Sequence, residues 1–137
     1  MPITHLSYED FIRQSKSPTK DPLDSLAQRE KTIYVYALTR DRCTGCEVQK
    51  PLFEKLSEQI LEKYPQGVEF ASIHVSHQDQ FSTRLQDFRR ILHFEAYPTY
   101  LILAKSDVGV VEIYRGIEPP MEEIARNIDV AMELIQQ

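Results

Sequence analysis

Cysteine occurs twice in this sequence, at Cys43 and Cys46, and the two thiols enclose only Thr44 and Gly45. Thiols at this spacing can close into a disulfide and reopen, which makes reversible redox chemistry the first reaction to consider. The pair follows an apolar run and precedes a strongly periodic segment, so it stands at the start of a helix. There a thiolate is stabilised by unpaired backbone amides and by the helix dipole, and Cys43 occupies the position where that stabilisation is greatest. Cys43 is therefore the expected nucleophile toward a substrate disulfide. Cys46, one turn further in, is the thiol expected to resolve the mixed disulfide.

Other fates for the pair stay open on spacing alone. A structural staple explains it poorly, because so short a loop removes little unfolded-chain entropy and bridge-held secreted domains usually carry more cysteines. Thiols buried only as small apolar core groups are a second alternative. Against it, Arg40, Asp41, Arg42, Thr44, Gly45 and Glu47 give the surroundings the composition of an exposed turn. Zinc or an iron–sulfur cluster would need two further ligands. His74 and His77 have a tempting spacing, but residues three apart on a strand point to opposite faces. No metal site and no cofactor are expected.

The elements that must position the cysteines are legible as hydrophobic periodicities. Residues 32–38 form the nearly unbroken apolar run of a central strand covered on both faces. After the cysteines, Val48, Leu52, Leu56, Ile60 and Tyr64 recur every four residues, with Phe53 and Leu61 widening the stripe. They predict an amphipathic helix that Pro65-Gln66-Gly67 ends. Residues 68–75 read as a second strand, with Phe70, Ser72 and His74 on one side and Ala71, Ile73 and Val75 on the other. Phe81, Leu85, Phe88 and Leu92 fall at helical spacing, started by Ser82 or Asp79 as a cap. Residues 99–103 and 110–114 predict two strands, and the 105–109 turn between them makes an antiparallel hairpin. Ile124, Ile128, Met132 and Ile135 predict a last helix, opened by Pro119-Pro120 with Glu122 and Glu123 in its first turn.

The amino-terminal thirty residues read as an accessory layer. Ser7 and Asp10 resemble a capping pair before Phe11 and Ile12, residues 15–20 with Pro18 read as a loop, and a second short helix runs from Asp21-Pro22 to near Glu30. From residue 32 onward the order is strand, helix, strand, helix, strand, strand, helix. That order calls for a parallel pair through a right-handed crossover, with the hairpin adding antiparallel strands to the same sheet.

With 137 residues and 42% apolar content, the chain is sized for one domain with its own core, residues 1–30 as the accessory segment and 31–137 as the core. A net charge of −5 with scattered lysines and arginines gives no footprint for nucleic acid. No run is long enough to span a bilayer, and Met1-Pro2-Ile3-Thr4-His5 lacks a basic stretch followed by an apolar core. A cytoplasmic chain without membrane contact is expected.

Four landmarks in order then give a resemblance. Cys43-Thr44-Gly45-Cys46 follows the first core strand, Pro51 falls five residues past Cys46, Tyr97-Pro98-Thr99 precedes the third core strand, and Gly116 follows the last. From residue 31 to its end the chain resembles the thioredoxin superfamily. The resemblance implies an α/β, thioredoxin-like fold: a central mixed sheet of four or five strands flanked by helices, here with an extra amino-terminal helical segment. It implies a helix kinked at Pro51, a cis bond before Pro98 lying against the cysteines, and an open strand edge there for an extended peptide. The expected substrate-binding residues are Tyr97, Pro98, Thr99, Thr44, Gly45 and Arg42.

The activity implied is that of a thiol–disulfide oxidoreductase acting on protein disulfides through the Cys43–Cys46 couple. Its partners would be disulfide-containing proteins and a thiol or reductase electron donor. Alternatively, the fold is kept as a scaffold and the chain is a non-catalytic binding or adaptor module, with its amino-terminal segment and residues 77–83 as partner surface.

The departures from the family pattern bear on chemistry. Thioredoxins proper carry a tryptophan before the first cysteine, a Gly-Pro pair between the cysteines and a buried aspartate in the preceding strand. Here those positions hold Arg42, Thr44-Gly45 and Ala37, and Ser72 stands nearest the lysine that partners the aspartate. Proton transfer at Cys46 must then use water or another group, with Glu47, Asp41 and His74 as candidates. The missing proline and a cationic flank both favour the reduced form, so a potential above that of ordinary thioredoxin is expected.

Overall fold

A strand without a polar face has to be covered on both sides, and β2 (Ile33–Arg40) accordingly lies in the middle of the sheet with Ile33, Val35 and Leu38 fully shielded from solvent. The computed structural model describes residues 2–15, 22–79 and 82–136. Its five strands are β1 (Ile3–Leu6), β2, β3 (Val68–Val75), β4 (Thr99–Ser106) and β5 (Gly109–Ile117), in the spatial order β1-β3-β2-β4-β5. β1 and β2 run parallel to β3, whereas β2–β4 and β4–β5 are antiparallel, so the sheet is mixed.

Alternation along β2 divides the core between the two faces. Tyr34, Tyr36 and Leu38 pack with α1 (Tyr8–Ser15) and α3 (Thr83–Leu92), where Tyr8, Phe11 and Phe94 surround Phe88. Ile33, Val35 and Ala37 pack with α2 (Thr44–Lys63) and α4 (Met121–Ile135), through Phe53, Leu56, Ile60, Ile124 and Ile128. Caps fix where the helices begin. The Ser82 hydroxyl accepts from Leu85 N–H at 3.0 Å. The Ser7 hydroxyl accepts from Glu9 N–H at 3.2 Å and Asp10 N–H at 3.4 Å, while Asp10 pairs with Arg13 at 3.0 Å rather than returning to Ser7. Gly67, at φ 91°, turns the chain from α2 into β3 in a backbone region that favours glycine.

Several elements differ from the sequence reading. The amino-terminal segment, expected to be helical, opens with β1, a fifth strand at the sheet edge; only Ile3 of its four residues is buried, so no alternation marked it. The second short helix is a single 3-10 turn, Asp24–Leu26, and Asp21, residues 16–20 and Phe81 lie outside the described residues. Gly116 lies inside β5 rather than after it. On α2, Val48 and Leu52 are 59% and 47% exposed, and the buried face is Cys46, Gln49, Phe53, Leu56, Ser57 and Ile60. Each four-residue step overshoots a helical turn by about 40°, so a stripe spaced strictly by four rotates off the face it ends on. Polar Gln49 and Ser57 hid the true stripe.

Phe88 has no solvent exposure and touches three aromatic rings, which makes it the pin between α1, α3 and the sheet. Phe88→Ala is expected to lower unfolding free energy by about 3–5 kcal/mol, read from the urea midpoint. A loss below about 1 kcal/mol would show that the site refills by collapse.

Candidate active site

The loop between β2 and α2 is short and fully determined. Asp41 N–H donates to Val75 O at 3.0 Å, Arg42 takes left-handed backbone at φ 56°, and Cys43 becomes the N-cap of α2 in extended conformation. The Cys43 sulfur accepts from Cys46 N–H at 3.1 Å, and Glu47 N–H donates to the Cys43 carbonyl at 3.1 Å. This is the unpaired-amide environment that favours negative charge on Cys43 when the pair is reduced. In the structure the two cysteines are joined as a disulfide with Cα atoms 5.2 Å apart. Burial does not separate them, since each is 6% exposed. Position on the helix does. Pro51 lies inside α2 and leaves the Glu47 carbonyl without its usual intrahelical donor.

Pairing of Leu38 with Thr99 brings the segment Tyr97-Pro98-Thr99 beside the end of β2, and the Tyr97–Pro98 peptide bond is cis. Pro98 and Thr99 are buried, and the Thr99 hydroxyl turns inward to donate to Ala96 O at 2.7 Å. The open strand edge expected at this segment is not at Thr99. Thr99 pairs with Leu38 on one side and Ile117 on the other, and the Pro98 carbonyl accepts from Glu118 N–H at 2.9 Å. Of the residues expected to meet substrate, Arg42 and Thr44 are exposed, while Gly45 and Tyr97 are half-buried.

Arg40 joins the two halves of the site. Its guanidinium donates to the carbonyls of Asp41 at 3.0 Å and Arg42 at 3.1 Å, and it lies 5.6 Å from the centre of the Tyr97 ring. Glu118, which the sequence reading passed over, makes a second connection. It has left-handed backbone at φ 46°, and its carboxylate lies against Gly45, where an added Cβ would approach Glu118 Cδ to 2.9 Å. Gln49 Nε2 donates to Pro119 O at 2.9 Å and holds the same turn against α2. An exposed glutamate following a strand gives no signal in sequence.

Behind Cys46 a cleft of about 300 Å³ opens between α2 and the sheet. Ala37 and Ser72, register partners on β2 and β3, leave the space, and Phe53 and Tyr100 form its apolar wall. The three candidate proton carriers, Glu47, Asp41 and His74, all line this cleft together with Cys46. His74 is held at both ring nitrogens, Nε2 at 2.7 Å from Asp41 Oδ1 and Nδ1 at 2.8 Å from the Thr39 hydroxyl. The His74 hydrogen bond, followed by that from His77 N–H, holds the Asp41 carboxyl below its ordinary value. His77 itself lies beyond β3, in the turn His77–Asp79.

The sheet order, and the disulfide at the start of the helix that follows the central strand, can be compared with solved structures. Thioredoxin f from spinach chloroplast, in its long form, superposes with a TM-score of 0.62 at 16% identity, over 98% of this chain and 87% of that one. Thioredoxin f2 of Chlamydomonas reinhardtii gives 0.60 at 16% identity, over 94% and 95%. A chain of the complex between ferredoxin:thioredoxin reductase and thioredoxin f2 gives 0.60 at 20% identity, over 95% and 94%. The chain has the thioredoxin fold. No protein-family model and no curated protein sequence matches it. A thioredoxin fold bearing a CxxC-spaced pair at disulfide distance supports thiol–disulfide redox chemistry in general. No described helix is long and apolar enough to cross a membrane.

The lowered Asp41 value carries a pH signature. A carboxyl depressed in the folded state stabilises fully above the ordinary carboxylate range, and that contribution is lost as pH falls through the lowered value. The urea-midpoint difference between wild type and Asp41→Asn is therefore expected at pH 6 and should shrink toward zero in acid. A difference constant across that range would contradict the assignment.

Proposed function

We propose that this protein is a thiol–disulfide oxidoreductase acting on protein disulfides through Cys43 and Cys46. The observation that carries the reading is the Cys43 sulfur at the N-cap of α2, accepting the Cys46 amide beside the Tyr97–Pro98 segment. In the reduced protein the Cys43 thiolate attacks a substrate disulfide, forming a Cys43–substrate S–S bond and releasing one substrate thiolate. Cys46 then gives up its proton and attacks the Cys43 sulfur. The Cys43–Cys46 disulfide forms, the second substrate thiolate leaves, and two electrons have passed to the substrate.

The Cys46 proton leaves through the cleft that Glu47, Asp41 and His74 line, with water as carrier. Substrate approaches over Arg42, Thr44, Gly45 and Tyr97, any main-chain pairing falling to Tyr97, while Pro98 and Thr99 support that surface from below. A thiol or reductase donor returns the pair to its reduced form. A structurally similar chain occurs in a complex of ferredoxin:thioredoxin reductase and thioredoxin f2, which supports a donor of the reductase kind. The chain acts as one domain, and a reducing compartment such as the cytoplasm suits a couple that must be re-reduced.

The test is reduction of insulin by dithiothreitol, followed by turbidity, with and without the protein. Wild type is expected to accelerate precipitation, Cys43→Ser to fall to the uncatalysed background, and Cys46→Ser to accumulate a mixed disulfide with substrate. Equal rates for wild type and Cys43→Ser would overturn the reading and favour a non-catalytic binding module.

A further inference from the structure

Lysine and arginine are scattered along the sequence, yet the fold draws five of the nine arginines toward one end of the sheet. Arg40 and Arg42 belong to the loop before Cys43. Arg89, Arg90 and Arg115 line a groove of about 630 Å³ between the end of α3 and the adjoining ends of β4 and β5, where Glu95 is the one carboxylate in the described lining. Thr99, next to the cis Pro98, lines the same groove, so the groove opens directly beside the proposed substrate surface.

The three arginines are differently committed. Arg115 donates to the carbonyls of Leu92 at 2.6 Å and His93 at 2.9 Å and pairs with Glu112 at 2.7 Å, so it closes the end of α3 and its charge is largely spent. Arg90 pairs with Asp87 at 3.5 Å, which offsets part of its charge, so the strip's positive potential rests mostly on Arg89 together with Arg40 and Arg42. Arg89 donates to the Glu95 backbone carbonyl at 2.9 Å, a neutral partner that leaves its charge in place. That charge is felt at Tyr97. Burial pushes the Tyr97 hydroxyl up, while Arg89 and Arg40 both pull against it. Arg40 of the cysteine loop lies over the Tyr97 ring, and Arg89 of the groove acts on the same hydroxyl.

We propose that this positive strip is a specificity surface for disulfide substrates that carry acidic residues beside the reacting cystine. The disulfide lies at Cys43 and the acidic segment runs past Tyr97 into the groove at Arg89 and Arg90. The proposal rests on the oxidoreductase reading above. Charge complementarity commits it to an acidic peptide: a chain of net charge −5 repels acidic partners overall, and a local positive strip is what lets one approach in a single orientation. Exposed charges of this kind act mainly on the association rate and are screened by salt.

Three peptides with the same disulfide-closed loop and acidic, neutral or basic flanks provide the test. The second-order rate constant for oxidation of pre-reduced protein is measured for each, at low and high salt. At low salt wild type is expected to react roughly tenfold faster with the acidic than with the basic peptide, and salt should compress that ratio. In Arg89→Glu/Arg90→Glu the ratio should fall to one or invert. Arg89→Gln/Arg90→Gln, which removes charge but keeps side-chain donors, should lie between. An unchanged urea midpoint and far-UV circular dichroism in each variant ensure that the ratio is read on folded protein, since thiols of an unfolded fraction would react with a charge preference of their own.

A wild-type ratio near one, or a ratio that survives charge reversal, would overturn the proposal. A second arm separates this from failure of the redox reading: binding of a labelled acidic peptide with alanine in place of both cysteines, followed by fluorescence anisotropy. Binding that weakens on charge reversal supports the strip even where no peptide is reduced. Binding indifferent to Arg89 and Arg90 rejects the strip even where every peptide is reduced.

Discussion

A helix leaves its first amides without carbonyl partners, and in this protein the Cys46 amide finds the Cys43 sulfur at 3.1 Å. The rest of the site depends on that hydrogen bond and on what keeps it in place. Phe53, Leu56 and Ile60 press α2 onto the sheet, β2 is held centrally by burial on both faces, and the loop between them has no slack once Asp41 N–H is bound to Val75 O. The sulfur that would carry negative charge is thus held at the end of a dipole by the hydrophobic core behind it.

Across from the cysteines, the Leu38–Thr99 pairing supplies Tyr97 and Pro98, and two charged residues stitch the halves together from opposite signs. Arg40 grips the loop carbonyls and lies over Tyr97, whereas Glu118 binds the Pro98 carbonyl through its amide and sets its carboxylate against Gly45. On the proposed reading the former would favour a thiolate at Cys43 and the latter would oppose it. Replacing a buried acid and its lysine by Ala37 and Ser72 has a geometric consequence as well. It opens a cleft to Cys46 whose walls carry the Asp41–His74 pair and Glu47, which places ionisable groups around the thiol that loses its proton in the proposed reaction.

Much of this was legible in the sequence because it follows from burial. The apolar run of β2, the alternation of β3 and the stripe of α4 each match a face packed in the structure. β1 was not legible, because an edge strand with one buried residue has no periodicity to read. The α2 stripe was misplaced at its start because buried Gln49 and Ser57 are polar while exposed Val48 and Leu52 are not. For the site, Cys43 and Cys46 stood out by type and spacing, and Tyr97-Pro98-Thr99 through the resemblance to the thioredoxin superfamily. Glu118, and the gathering of Arg89, Arg90 and Arg115 near Tyr97, arise from contacts between distant segments, for which local sequence has no signature.

The redox role of the Cys43–Cys46 pair is tested most directly by its equilibrium with a glutathione redox buffer, read by alkylation of free thiols. A reversible two-electron couple is expected, with a potential above that of ordinary thioredoxin, about −270 mV. A pair that does not equilibrate with the buffer, or one whose midpoint lies at or below that value, would contradict it.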